Sequence, residues 1–247
     1  MKKCGILFNA KQNYFLPYLK WIIEECYSND YFELSGIHTN DLNTLNEELD
    51  DLHPSISLNE ILKESDVVFS LGYWRILRKD QISNVPLGIV NFHHSYKLKY
   101  RGRHCSTWAL RNNESIHGST MHFIDENLDE GKIIATDYFS IDRTDVAEDL
   151  FFKANNIGLQ LLKNNFRDVL FEETNTVIPL EKDYKCFKEK DLDHKISNEH
   201  VMDEDKLLTE IRALTFDLMP APYIELNGQK VYLKLESYDD GVLGRLP

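Results

Sequence analysis

Three polar residues of this chain have the types and spacing that acyl transfer to an amine requires. Asn91 and His93 stand two apart in Asn91-Phe92-His93-His94-Ser95, so on extended backbone both side chains leave the same face. Asn91 offers an amide N–H donor, and His93 offers an imidazole that titrates near neutral pH. Asp129, in Leu128-Asp129-Glu130-Gly131, supplies a carboxylate, which beside an imidazole holds its tautomer and raises its basicity. An amine that attacks a carbonyl must lose protons, which calls for a base of near-neutral pKa. The carbonyl oxygen meanwhile gathers negative charge that a fixed donor must meet. His93 and Asp129 would handle the proton, and Asn91 and His93 would face the oxygen. An amine that attacks directly needs no Ser or Cys nucleophile. Taken singly, each residue has a plain reading as a packed or turn residue, Asp-x-Gly being a common turn. A metal site is not expected from His93, His94 and His104. Adjacent histidines on a strand point to opposite faces, and no Cys or carboxylate stands at ligand spacing.

The elements that must position these residues read as alternating strands and helices. Gly5 to Phe8 is a short apolar strand, and Phe15, Leu19, Ile22, Ile23 and Cys26 recur on one helical face. Phe32 to Ile37 is a second strand. Ser57-Leu58-Asn59-Glu60 has capping-box spacing. Val67 to Leu71 has the β-branched, apolar character of a strand buried on both sides. Gly88-Ile89-Val90 repeats that character just before Asn91, which places Asn91 and His93 at a strand's carboxyl end, where open α/β sheets collect ligands. Thr120, His122 and Ile124 alternate as a further strand, which Asp129 follows. A long amphipathic helix carries Ala147, Leu150, Phe151, Ala154, Ile157, Leu161 and Leu162 on one face, with Asp145 and Glu148 expected to cap its start. This order predicts an α/β fold, doubly wound, with a mostly parallel sheet.

The pattern changes near residue 173. The expected division is a core over 1–172 and a C-terminal region over 173–247. The later region holds a charged run from Lys185 to Lys190, read as a solvated connection, and a helix carrying Leu207, Leu208, Ile211 and Leu214. Asn227-Gly228, between alternating apolar residues, predicts a tight hairpin.

Composition narrows the function classes. The 247 residues carry 28 Lys+Arg against 41 Asp+Glu, a net charge of −13. A surface of that sign repels a phosphate backbone, so no nucleic-acid partner is expected. No apolar stretch approaches the roughly 18 residues of a membrane span, so no membrane partner is expected. Cys4, Cys26, Cys105 and Cys186 lie far apart, and with only a short apolar run after Met1-Lys2-Lys3 they read as reduced thiols of a cytoplasmic protein.

In this order the motifs resemble those of the formyltransferase family that uses N10-formyltetrahydrofolate, whose pattern is Asn-x-His-x-Ser, then Arg-Gly, then Leu-Asp-x-Gly. Here these are Asn91 to Ser95, Arg101-Gly102 and Leu128 to Gly131. The segment Asp66 to Leu77 is similar to the strand and loop that line the family's folate pocket. The resemblance implies a Rossmann-like core and Asn91, His93 and Asp129 as the catalytic trio. It also implies N10-formyltetrahydrofolate as co-substrate, held by Tyr73, Trp74, Ile76 and Leu77. Two prolines frequent in the family are replaced by Leu98 and Arg78, departures expected to change loop geometry rather than chemistry.

The family's tRNA-directed members carry a large additional C-terminal domain, for which too few residues follow 173. The C-terminal part instead resembles the sugar-nucleotide N-formyltransferases, in Tyr100-Arg101-Gly102-Arg103-His104 and in Ile211 to Phe216 followed by prolines and a hairpin. That resemblance implies an acceptor amine on a dTDP-linked 3- or 4-amino-dideoxyhexose, dTDP-4-amino-4,6-dideoxyglucose being favoured, for O-antigen or other surface glycans. It also implies a homodimer formed through the hairpin. A pyrophosphate needs cations, and Lys97, Lys99, Arg101 and Arg103 gather them near the motif; Tyr223 is expected to pack on a base or sugar. Two other readings remain open: another small amine such as glycinamide ribonucleotide, and a folate or nucleotide binder without catalysis.

Overall fold

The computed structural model describes residues 1–11, 13–28, 30–49, 55–172, 174, 185–217 and 219–235. Strand β1 (Lys2–Phe8) is buried from Cys4 to Phe8, as a strand covered on both faces must be. Helix α1 (Leu16–Ser28) buries Tyr18, Leu19, Ile22, Ile23 and Cys26, the predicted stripe. After β2 (Phe32–Thr39), α2 (Leu42–Glu48) starts at Asp41, whose side chain accepts from Thr44 N. The predicted capping box opens α3 (Leu58–Glu64): Ser57 Oγ accepts from Glu60 N and Glu60 accepts from Ser57 N. Then come β3 (Val67–Leu71), α4 (Lys79–Ile82) and β4 (Ile89–His93). A short β5 (Arg101–Gly102) leads into α5 (Cys105–Arg111), followed by β6 (Ile116–Phe123), β7 (Ile133–Ser140) and the long α6 (Ala147–Leu170). The remainder forms β8 (Cys186–Phe187), α7 (Asn198–Val201), α8 (Glu204–Leu214) and the hairpin strands β9 (Tyr223–Leu226) and β10 (Gln229–Tyr232).

Six strands form one sheet in the order β2-β1-β3-β4-β6-β7. β2, β1, β3 and β4 are parallel, and β6 and β7 join antiparallel. The sheet is covered on both faces. Ile6, Phe8, Val67 and Phe69 pack with α1 and with Leu161, Leu162, Phe166 and Val169 of α6. On the other face Leu7, Val68 and Ile89 pack with Ile61 and Leu62 of α3. Each such side chain contributes about 1.5–3 kcal/mol on leaving water. The strand order switches between β1 and β3, so a crevice opens at their carboxyl ends and at that of β4.

Three local expectations are corrected. α6 is not capped by Asp145 and Glu148: Asp149 accepts from Val146 N, while Asp145 receives Asp142 N and the Lys153 ammonium. The run Lys185 to Lys190 is not a solvated connection, because β8 within it pairs in parallel with β5. Leu208, predicted on an apolar face of α8, is 45% exposed; Ala213 packs instead with Ala109, Leu150 and Phe187. The hairpin forms as predicted, with positive φ at both Asn227 (50°) and Gly228 (76°), the requirement of a tight two-residue turn. No helix among the described residues is long and apolar enough to cross a membrane.

Candidate active site

β4 runs further than its apolar residues predict, so Asn91 and His93 lie within the strand rather than after it. They are held from both sides: Ser70 of β3 is paired with Asn91, and His122 and Thr120 of β6 face Asn91 and His93. His94 leaves from the opposite face, where its ring stacks on Phe15 at 5.5 Å and meets Phe151 edge-on at 4.7 Å. Burial, with the nearby charge of His93, drives His94 down to about 3 and keeps it neutral.

Asp129 arrives in the loop after β6, itself at φ 51°. Its Oδ2 accepts from Gly102 N at 2.8 Å and lies 3.5 Å from His93 Nδ1, and its Oδ1 lies 3.8 Å from His122 Nε2. The Arg-Gly motif thus has a physical cause. Gly102 sits at φ +81°, and a Cβ there would collide with the Phe187 carbonyl oxygen of β8. At Gly131 a Cβ would run into the Phe123 carbonyl, so only glycine lets the Asp129 loop close on β6.

The protons on His93 follow from its partners. Nε2 lies 2.6 Å from the Tyr100 carbonyl oxygen, which can only accept, so Nε2 carries hydrogen. Nδ1 faces the Asp129 carboxylate, a second acceptor. Only the imidazolium supplies hydrogen to both. Burial opposes that charge, but Asp129, Cys105 and the Tyr100 carbonyl outweigh it and push His93 up to about 10. His93 is therefore cationic at neutral pH, not the near-neutral base that its type alone suggested.

His122 was not singled out by the sequence, although the alternation in Thr120-Met121-His122 set it opposite Asn91 on a buried face. Its Nδ1 lies 2.9 Å from the Phe123 carbonyl and must donate there. Burial, only partly offset by Asp129, brings it down to about 4, so it is neutral and Nε2 can only accept. The donor is Asn91 Nδ2, 3.2 Å away. This fixes the orientation of the Asn91 amide.

Asn91, His93 and Asp129 line a cavity of about 870 Å3. Tyr73, Trp74, Ile76 and Leu77 line it as well, opposite the segment Ile124 to Leu128. Trp74 stacks on His38 at 6.3 Å and remains 40% exposed, while Ile76 is 82% exposed. Tyr14, Phe15, Phe151 and Phe216 also line the cavity. Of the four cations expected near the motif, only Arg103 reaches the lining, joined there by Arg75 and Lys188. Lys97, Lys99 and Arg101 stand outside it. Lys99 pairs with Glu114 at 2.8 Å, Lys97 lies over the Tyr96 ring at 5.4 Å, and buried Arg101 pairs with Glu130. The turn before β5 explains this scatter: Lys97 and Leu98 have φ of 51° and 59°, the latter beyond proline's reach. Tyr223 is also outside the lining, packed in the hairpin against Tyr232 and Lys230. Glu189, after β8, closes the Arg103 side, bonding Arg103 Nη1 at 2.5 Å and lying 3.2 Å from His104 Nε2.

Residues 45–164 match the sequence model of the family described as formyl transferase. The chain is 36% identical over 110 residues to the methionyl-tRNA formyltransferase of Clostridioides difficile strain 630, a match spanning 44% of this chain and 35% of that protein. It is 31% identical over 107 residues to the formyltetrahydrofolate deformylase of Escherichia coli K12, spanning 43% and 38%. The chain thus spans little more than a third of the length of these curated relatives. Likeness of fold extends much further. A 4-N formyltransferase from Francisella tularensis superposes with a TM-score of 0.79 at 18% identity, covering 96% of this chain and 98% of that one. The N-formyltransferase from Helicobacter canadensis, solved in complex with folinic acid and dTDP-3-aminofucose, gives 0.69 at 23% identity, covering 94% and 86%. The motifs around β4, β5 and the Asp129 loop all fall inside residues 45–164, the segment that matches the formyl transferase family.

Proposed function

We propose that this chain transfers a formyl group from N10-formyltetrahydrofolate to the amine of a nucleotide-linked amino-dideoxy sugar. The convergence of Asn91, His93 and Asp129 in the lining of one cavity carries the reading. Its volume of about 870 Å3 lies within the roughly 300–1,000 Å3 of small-molecule sites. The flat face of Trp74 and the exposed Ile76 fit a planar apolar ring system on the folate side. When bound, the folate supplies the activated formyl carbon. Asn91 Nδ2 keeps a second N–H beyond its bond to His122, and with the His93 charge it opposes negative charge growing on the formyl oxygen. Asp129, oriented by Gly102 N, takes the proton that the attacking amine gives up. It returns that proton to N10 of the folate, which leaves as tetrahydrofolate as its bond to the formyl carbon breaks.

The acceptor side supports the finer reading. Lys188 and Arg75 supply positive charge for a diphosphate in an otherwise acidic chain, and Arg103 adds to it on exchanging Glu189 for phosphate oxygens. The aromatic residues of the lining suit a deoxygenated ring better than a fully hydroxylated one. The complex of the Helicobacter canadensis protein with dTDP-3-aminofucose supports the same class of acceptor. We take dTDP-4-amino-4,6-dideoxyglucose as the first candidate, in surface-glycan synthesis in the cytoplasm. We further propose a homodimer through β9–β10, where Leu226, Val231 and Tyr232 are 52%, 40% and 61% exposed; sedimentation at monomer mass would remove it.

The test is turnover by the purified chain with N10-formyltetrahydrofolate and a panel of dTDP-amino sugars, products being read by mass. One sugar gaining a formyl group, with kcat falling by about 10^3 in Asp129→Asn, is the expected result. Formylation of glycinamide ribonucleotide alone would reassign the acceptor. Formate release without an acceptor would make the reaction a hydrolysis, and binding without turnover would make the chain a binder.

A further inference from the structure

Beside His93 the cavity wall carries a group that the mechanism above leaves unused. Cys105, the first residue of α5, is 8% exposed and lines the cavity. Its Sγ lies 3.3 Å from His93 Nε2 and 3.0 Å from the Tyr100 carbonyl oxygen. The thiol hydrogen therefore goes to the carbonyl, and the sulfur lone pairs face the Nε2–H. The carbonyl is itself immobilised. Tyr100 N donates to Ser95 Oγ at 2.9 Å, and the Tyr100 hydroxyl donates to Glu114 at 2.6 Å.

We propose that Cys105 is a positioning residue for His93: its thiol, anchored on the Tyr100 carbonyl, closes the side of the ring away from Asp129 and keeps Nδ1 turned toward that carboxylate. An imidazole has two orientations related by a half-turn, which its partners alone decide. A half-turn here would place a ring C–H against sulfur and the carbonyl, giving up the Nε2–H bond. The titratable groups around the ring are Asp129 from the loop after β6, His122 from β6 at 6.4 Å between ring centroids, and Cys105 from α5. His94, His117 and Cys186 act on it at longer range. Burial opposes the imidazolium, the Asp129 charge favours it most, and the Cys105 sulfur beside Nε2 favours it further.

The kinetic part of this inference rests on the proposed formyl transfer, but the positional part does not. The experiment is a histidine 15N NMR titration of the full chain as wild type, Cys105→Ala and Cys105→Ser, with kcat and KM for each. Cys105→Ala is expected to lower the His93 midpoint by about one pH unit, as loss of a bond to the charged form does. It should reduce kcat about tenfold while both KM values stay within about twofold. Cys105→Ser keeps a donor for the carbonyl and should recover most of the midpoint and the rate. An unchanged His93 midpoint in Cys105→Ala, or a serine variant no better than alanine, would overturn the proposal. A wild type without turnover would instead count against the formyl-transfer reading, and the titration would still decide the role of Cys105.

Discussion

His122 Nε2 lies 3.2 Å from Asn91 Nδ2, and the two residues are direct partners across the antiparallel β4–β6 ladder. The bond runs one way, because His122 is neutral and spends its only N–H on the Phe123 carbonyl. Without that acceptor the Asn91 amide is free to rotate and present its oxygen where a donor is needed. His122→Phe should therefore lower kcat roughly 5- to 30-fold, the equivalent of about 1–2 kcal/mol for a lost buried hydrogen bond. The shape of the pH–rate profile above pH 5 should not change. His122→Gln, whose amide oxygen can accept, should restore part of the rate. Steady-state kinetics of the pair decides it, and equal losses in both variants would show that the bond does not orient Asn91.

Gly102 links two parts of the site. Its N–H holds Asp129 Oδ2 at 2.8 Å, and its φ of +81° beside the Phe187 carbonyl excludes a side chain. Gly102→Ala forces β5 away from β8 and carries the N–H off the carboxylate. A loss of about 1–3 kcal/mol in urea unfolding is expected from the strain alone. The rate should fall more than tenfold as Asp129 loosens. A variant of unchanged stability would show that the β5–β8 contact yields without cost.

Much of this arrangement was legible in the residues. The helical stripe of α1, the Ser57–Glu60 capping box and the Asn227-Gly228 turn are local signals, and each formed where its pattern said. The extent of β4 was obscured because Asn91 and His93 are polar residues on a strand, and only their partners in β3 and β6 keep them there. Strand direction at β6 is set by how the chain returns, which composition does not encode. The cations misled for a related reason. Proximity in sequence grouped Lys97, Lys99, Arg101 and Arg103, but two left-handed residues in the turn and the alternation of β5 send only Arg103 into the cavity. Lys188 and Glu189 reach it from a segment almost ninety positions away, brought in by a β5–β8 pairing two residues long.

Trp74 offers a way to separate folate binding from acceptor binding. Its ring stacks on His38, stays 40% exposed and supports no buried layer, so Trp74→Ala should leave thermal stability nearly unchanged. If the folate ring system lies on this face, losing the aromatic contact, worth about 0.5–1.5 kcal/mol beyond area, should raise the KM for N10-formyltetrahydrofolate about tenfold. The kcat and the acceptor KM should stay within twofold. A rise confined to the acceptor KM would place the acceptor, not the folate, on Trp74.

The buried histidines make the fold acid-sensitive in a definite window. His94 and His117 are driven to about 3 and His122 to about 4, burial being the leading cause for each, against an ordinary value of 6.5. As pH falls through 6.5 the unfolded chain binds three protons that the folded chain refuses until about 4 or lower, so stability must drop across that interval. His93 has the opposite sign. Raised to about 10, it contributes stability that is complete below 6.5 and is lost as pH climbs through 10. Melting temperature followed from pH 4 to 10 should thus peak near neutrality and fall on both sides. Carboxylates also weaken many folds in acid, so the discriminating measurement is His117→Gln, at a position whose Nε2 meets the Ser106 hydroxyl, 3.3 Å away. Removing one titrating site should make the decline between pH 6.5 and 4 shallower than in the wild type and leave the alkaline limb untouched. Parallel acid limbs in the two proteins would mean that His117 takes up its proton in the folded state as readily as in the unfolded one.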